Sequence, residues 1–137
     1  MSDGQIHSVV DSRLSETVRI LAMSSPSKWR VGCVLLRRGR VVVSTTNVEG
    51  KTHPRQSELA VRVGQPYRRS LHAELRALIK GRSAKPDTLV VGRVNSKNEL
   101  CLARPCPVCQ LAISESGIRN VYYSMDGGDW SRLELSA

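Results

Sequence analysis

The chain has 137 residues, which predicts one domain, and a chain of this size buries roughly two-thirds of its unfolded surface, enough for a core without disulfides. Hydrophobic residues make up 40% and charged residues 24%, no apolar run approaches the ~18 residues of a membrane span, and the start lacks signal-peptide regions. Membrane, secreted, collagenous and largely disordered classes are therefore not expected, and a cytoplasmic location is.

In chain order, Leu14, Val18, Leu21 and Ala22 recur at helical spacing, so residues 11–23 are expected to form an amphipathic helix ended by Ser24-Ser25-Pro26-Ser27. Two apolar runs, 31–36 and 41–44, flank Arg37-Arg38-Gly39-Arg40 and predict a tight hairpin of two buried strands. Residues 47–70 form a long connection with Gly50, Pro54, Gly64 and Pro66, broken by a helical turn at 58–63; loops this long are usually functional. Leu71, Leu75, Leu78 and Ile79 restore the helical period, with Ser70 as N-cap and Gly81 past the end. Residues 88–94 predict a third strand. Pro105 and Pro107 start a helix over 106–116, and Gly117 closes it. Residues 120–124 predict a fourth strand. Asp126-Gly127-Gly128-Asp129 then turns into a short antiparallel fifth, 130–135. This order predicts one α/β domain over 1–137, a mixed sheet of about five strands with helices packed on its faces. Sixteen Val and fourteen Leu supply its interior.

The formal charge of +9 favours an acidic partner such as nucleotide phosphate, nucleic acid or an anionic surface, or else serves plain solubility. Two Trp, three Tyr and no Phe leave few base-stacking platforms.

The chemistry concentrates in His72-Ala73-Glu74 and Pro105-Cys106-Pro107-Val108-Cys109. Two cysteines three apart at a helix start project from one first turn, where unpaired backbone N–H groups help to ionise them. His72 also opens a helix. Two helix N-termini facing each other can bring one imidazole and two thiolates to a single ion, and that donor set favours zinc. Three protein ligands leave the fourth tetrahedral position to water, the catalytic pattern, with Glu74 as the proton carrier beside it. In a structural site Cys101 or His53 would instead close the tetrahedron. A capping role for Glu74 fails on spacing, because the third residue after Ser70 is Ala73. Cys33 is left to the core.

With these motifs the chain resembles the cytidine/deoxycytidylate deaminase superfamily from about residue 31 to 124. Ser70-Leu71-His72-Ala73-Glu74-Leu75 is similar to its first motif and Ala103-Arg104-Pro105-Cys106-Pro107-Val108-Cys109 to its second. The resemblance implies a three-layer α/β/α sandwich and one zinc per chain, held by His72, Cys106 and Cys109. It implies that Glu74 shuttles protons to ring N3 and then to departing ammonia. It also implies base contacts from backbone groups near Ala73 and Arg104, and a sugar contact from Asn47, which is otherwise a turn former. The substrate implied is a small cytosine nucleotide or nucleoside, dCMP above others; a single-stranded nucleic acid is the alternative, and a non-catalytic zinc-stabilised binding module a third. A homo-oligomer is implied as well.

The sequence departs from the family after Asn47, where no short Gly/Pro phosphate cradle follows. Lys51, His53, Arg55, Arg68 and Arg69 all lie between Asn47 and His72. They form either a solvated basic face or a lid that grips a 5′-phosphate with forked donors.

Overall fold

The computed structural model describes residues 10–48, 53–64 and 72–135. Helix α1, Ser12–Met23, is capped by Asp11, whose carboxylate accepts from Leu14 N at 2.8 Å. It leads into β1, Arg30–Arg37, and β2, Arg40–Thr46. The hairpin between them turns through Arg38 and Gly39 at φ 50° and 80°. Helices α2, Pro54–Arg62, and α3, Ala73–Lys80, come before β3, Thr88–Val94. A two-residue strand β4, Leu100–Cys101, helix α4, Pro107–Ser116, and strands β5, Asn120–Ser124, and β6, Trp130–Arg132, complete the order.

The sheet runs β2-β1-β3-β5-β6, with β4 paired to the end of β3. β3 and β5 are parallel, joined through α4, and the other pairs are antiparallel. One face buries Leu35, Leu89, Val91 and Val121 against Ala73, Ala77 and Ile113 of α3 and α4. The opposite face buries Val34, Val90 and Trp130 against Val18 and Ala22 of α1. This is the expected three-layer α/β/α sandwich.

A glycine pair fits α1 to its face. Gly32 of β1 and Gly92 of β3 are direct cross-strand partners. A Cβ on Gly32 would stand 2.7 Å from Ala22 N, and one on Gly92 2.7 Å from Val18 Cγ1. The missing side chains leave room for the backbone of α1 at Gly32 and for its Val18 side chain at Gly92.

Several expectations change. β2 is an edge strand whose Val41 and Val42 are exposed, so only β1 of the hairpin is buried. β4 is an additional strand, too short for a period-two signal, and β6 ends at Arg132. The turn foreseen at 58–63 is a full helix from Pro54, capped by His53, whose Nδ1 accepts from Arg55 N at 3.0 Å. The N-cap of α3 is His72; Ser70 lies outside the described residues. Among the described residues no helix is long and apolar enough to cross a membrane.

Candidate active site

His72 and Cys106 are the N-cap residues of α3 and α4, and neither side chain is spent on a cap hydrogen bond. Pro107 follows at the first helical position, where its missing N–H costs nothing. The two helices pack side by side, so their N-termini meet beyond the carboxyl ends of β3 and β5, where open α/β sheets place their ligands. His72 Nδ1 lies 3.2 Å from Cys109 Sγ and 3.5 Å from Cys106 Sγ. The donor atoms of all three residues fall within 4.8 Å of one another.

These distances fit a metal. Zinc bonded at about 2.0–2.1 Å to nitrogen and about 2.3 Å to sulfur spaces tetrahedral donors by roughly 3.5–3.8 Å. One imidazole and two thiols, drawn from two helix starts, are the soft donor set zinc takes. Neither Cys101 nor His53 joins the group among the described residues: the Cys101 thiol lies 3.6 Å from Arg93 O and His53 caps α2.

Charge in the cluster is shared unevenly. The Cys106 thiol is pulled down to about 4, first by its hydrogen bond with Cys109 and then by His72. Cys109 is pushed well up by the same bond, by burial and by the nearby Glu74 carboxylate. The two thiols are coupled through that bond and titrate as a pair. Glu74 sits in the first turn of α3, 6% exposed, and burial raises its pKa above the ordinary carboxylate value. Cys33, fully buried on β1, is raised by burial and is a core thiol.

His72, Glu74 and Cys106 open into a cleft of about 430 Å³ whose walls include Trp29, Asn47, Ala73, Arg93 and Arg104. Of the residues expected to meet substrate, Asn47, Ala73 and Arg104 are therefore brought together. The Asn47 side chain is already engaged with the loop between α1 and β1, accepting from Val31 N at 3.0 Å and from Ser25 Oγ at 2.7 Å. The Ala73 carbonyl accepts from Thr45 Oγ1 at 2.7 Å, which ties α3 to β2. The Arg104 guanidinium reaches Tyr123 Oη at 3.3 Å.

His53 and Arg55 do not line the cleft. Arg55 pairs with Glu58 at 3.0 Å and with Glu115 of α4 at 2.5 Å, so α2 is bound to α4 and Arg55 faces a different depression. Lys51, Arg68 and Arg69 lie outside the described residues. The other depression, about 520 Å³, is larger than the cleft, but Arg82, Lys85 and apolar residues of α3 line it, and the His72 cluster is absent from it.

Sequence reasoning missed Trp29, Arg93, Thr45 and Ser124. Ser124 is fully buried and stitches strand ends: its Oγ donates to Cys101 O at 2.6 Å and accepts from Arg93 N at 3.2 Å, while Ala103 N donates to its carbonyl at 2.9 Å. That stitching aims the segment leading to Cys106. An apolar Trp29 next to a polar loop was the available signal for the cleft mouth.

Residues 10–125 match the family model of the cytidine and deoxycytidylate deaminase zinc-binding region. Two solved structures of dCMP deaminase from the cyanophage S-TIM5 share the fold at 22% identity. The apo form gives a TM-score of 0.50 over 86% of this chain and 88% of that one. The form in complex with dCMP and dUMP gives 0.51 over 82% and 79%. No curated protein matches the chain.

Proposed function

We propose that this chain, which belongs to the family of cytidine and deoxycytidylate deaminases, hydrolyses the exocyclic amine of a cytosine nucleotide, with dCMP as the substrate and dUMP and ammonia as the products. The observation that carries this reading is the convergence of His72, Cys106 and Cys109 with the buried Glu74 on one cleft.

A zinc ion held by His72, Cys106 and Cys109 supplies the Lewis acidity that makes hydroxide available near neutral pH. Glu74 does the proton work. In the proposed sequence it takes one proton from the attacking water and delivers it to ring N3 as the new C4–O bond forms. It then carries the second water proton to the amine, and the C4–N bond breaks to release ammonia. Burial suits the carboxyl to this cycle, because a raised pKa lets it hold a proton between the two transfers. Ala73, in the first turn of α3, has a backbone N–H without an intrahelical acceptor, and we assign it to the base carbonyl. Asn47 and the backbone at Arg104 complete the contacts to sugar and base.

Ammonia release from dCMP, CMP, deoxycytidine, dAMP and short single strands tests the reading. Turnover of dCMP above the others supports it, and release from none of the cytosine substrates ends it. A second reading, deamination within a single strand, is favoured by the exposed Trp29 at the cleft and the charge of +9. It requires affinity that falls by roughly 0.7 log units per log unit of salt for each phosphate contacted. Family membership also supports a homo-oligomer, which light scattering tests.

A further inference from the structure

We infer that Arg93 and Arg104 form the subsite that takes the 5′-phosphate end of the nucleotide, with the Trp29 ring against its sugar, an assignment that rests on the deaminase reading above. The first observation is charge. Arg93 and Arg104 both line the cleft, and among the described residues the one carboxylate lining it with them, Glu74, is buried beside the metal ligands. Neither guanidinium is ion-paired to a carboxylate among the described residues, whereas Arg19, Arg55, Arg62 and Arg132 each are. Two uncompensated forks at one mouth match the donor geometry of a phosphate dianion.

The second observation is that the forks are held ready. Arg93 Nε donates to Leu102 O at 3.0 Å, and the group stacks 5.2 Å from the centre of the Trp29 ring. Leu102 is itself fixed, its N–H donating to Asp126 Oδ1 at 3.0 Å. Arg104 leans on Tyr123, 5.8 Å from the ring centre. A preorganised guanidinium loses little freedom on binding.

The third observation is Trp29 itself. The residue is 61% exposed, although its backbone carbonyl is held by Asn47. A large apolar ring kept in water at the rim of a catalytic cleft, with a cation on it, is a surface for a flat or sugar-like part of a ligand. Arg93 and Arg104 converge on one cleft, and two forks at one point match a single terminal phosphate.

The chain has two tryptophans, and Trp130 is 6% exposed with its Nε1 bonded to Ser15 Oγ at 3.0 Å. Iodide-accessible fluorescence therefore reports Trp29. The zinc-loaded protein is titrated with dUMP and with deoxyuridine, which bind without turnover. We expect dUMP to quench Trp29 with a Kd at least tenfold below that of deoxyuridine. Arg93→Ala and Arg104→Ala should each cut that ratio fivefold or more, and Arg93→Lys should restore it only in part. By calorimetry, Trp29→Ala should weaken both ligands alike. Arg82→Ala, which removes an equal charge from the other depression, should leave the ratio unchanged. A ratio near one, no quenching by dUMP, an equal loss in Arg82→Ala, or tighter binding of a short single strand than of dUMP overturns the inference. Ammonia assays separate the two claims. Equal turnover of dCMP and deoxycytidine sinks the phosphate subsite and keeps the deaminase. Phosphate-dependent dUMP binding without ammonia from any cytosine substrate keeps the subsite and sinks the deaminase.

Discussion

The side-chain amide of Asn47, at the end of β2, donates to the carbonyl of Trp29, in the loop before β1, while its oxygen accepts from Val31 N and Ser25 Oγ. One side chain thus pins a loop that carries the exposed ring of the cleft, and it does so from the position at which the family resemblance implies a sugar contact.

Asn47→Ala should release that loop. The lost bonds leave Val31 N–H and Trp29 C=O without their partner, at a cost of about 1–3 kcal/mol. Iodide quenching of Trp29 should rise and KM for dCMP should increase, while zinc content stays at one per chain. Unchanged Trp29 quenching would mean the loop holds itself.

Metal content should depend on the three cluster residues. Cys106→Ser and Cys109→Ser should lose zinc, measured by elemental analysis of the purified protein, and Cys33→Ser and Cys101→Ser should keep it. Cys33 is sealed in the core and Cys101 is turned toward Arg93 O. Full zinc in the Cys106 variant would remove the basis for the centre.

Glu74→Gln should bind zinc and fold, because the amide replaces a proton carrier of the same shape. Turnover should fall by at least ~10²–10⁴-fold, the usual contribution of a general acid–base group. Activity within a few-fold of the parent would assign the proton transfers elsewhere.

Gly32→Ala should destabilise the fold by about 1–3 kcal/mol, as overpacking does, and the denaturant midpoint reads it. The new Cβ meets the backbone nitrogen of Ala22, which can yield only if α1 moves as a unit. Gly39→Ala is a contrast of another kind: space is open there, but φ is 80°, so its cost is backbone strain and α1 stays seated.

Glu115 links α4 to α2 through Arg62 and Arg55, and its pKa lies below the ordinary value, first through the Arg62 hydrogen bond and then through that of Arg55. A depressed carboxylate contributes stability that is present above the unfolded pKa of about 4.3 and is lost as pH falls through the lower folded value. Glu115→Gln should therefore lower stability at neutral pH and flatten its decline in acid. All three side chains are partly exposed, so the effect should be small and should shrink with salt.

Local signals were enough for most of the elements and for the residues that could hold a metal. Leu14, Val18 and Ala22 bury on one side of α1 because helical spacing puts them there, and a Pro-Cys-x-x-Cys at a helix start keeps both thiols on one turn wherever that helix docks. His72 and Glu74 belong to the same class, as one residue caps α3 and the other lies in its first turn. Three outcomes depended on tertiary contacts. Val41 and Val42 read as buried by composition, yet among the described residues β2 has no neighbour on its outer side, and sheet order is a long-range property. Arg55 read as either a solvated cation or a phosphate grip by its place in a basic segment, and only the fold shows that Glu115, far along the chain, pairs with its guanidinium. Arg93 and Trp29 carried no motif at all. They meet because β1 and β3 pair through Gly32 and Gly92, which sets the loop before β1 beside the end of β3. Spacing along a helix is set by neighbouring residues, whereas the partner of a charge or an exposed ring is set by which strands lie side by side.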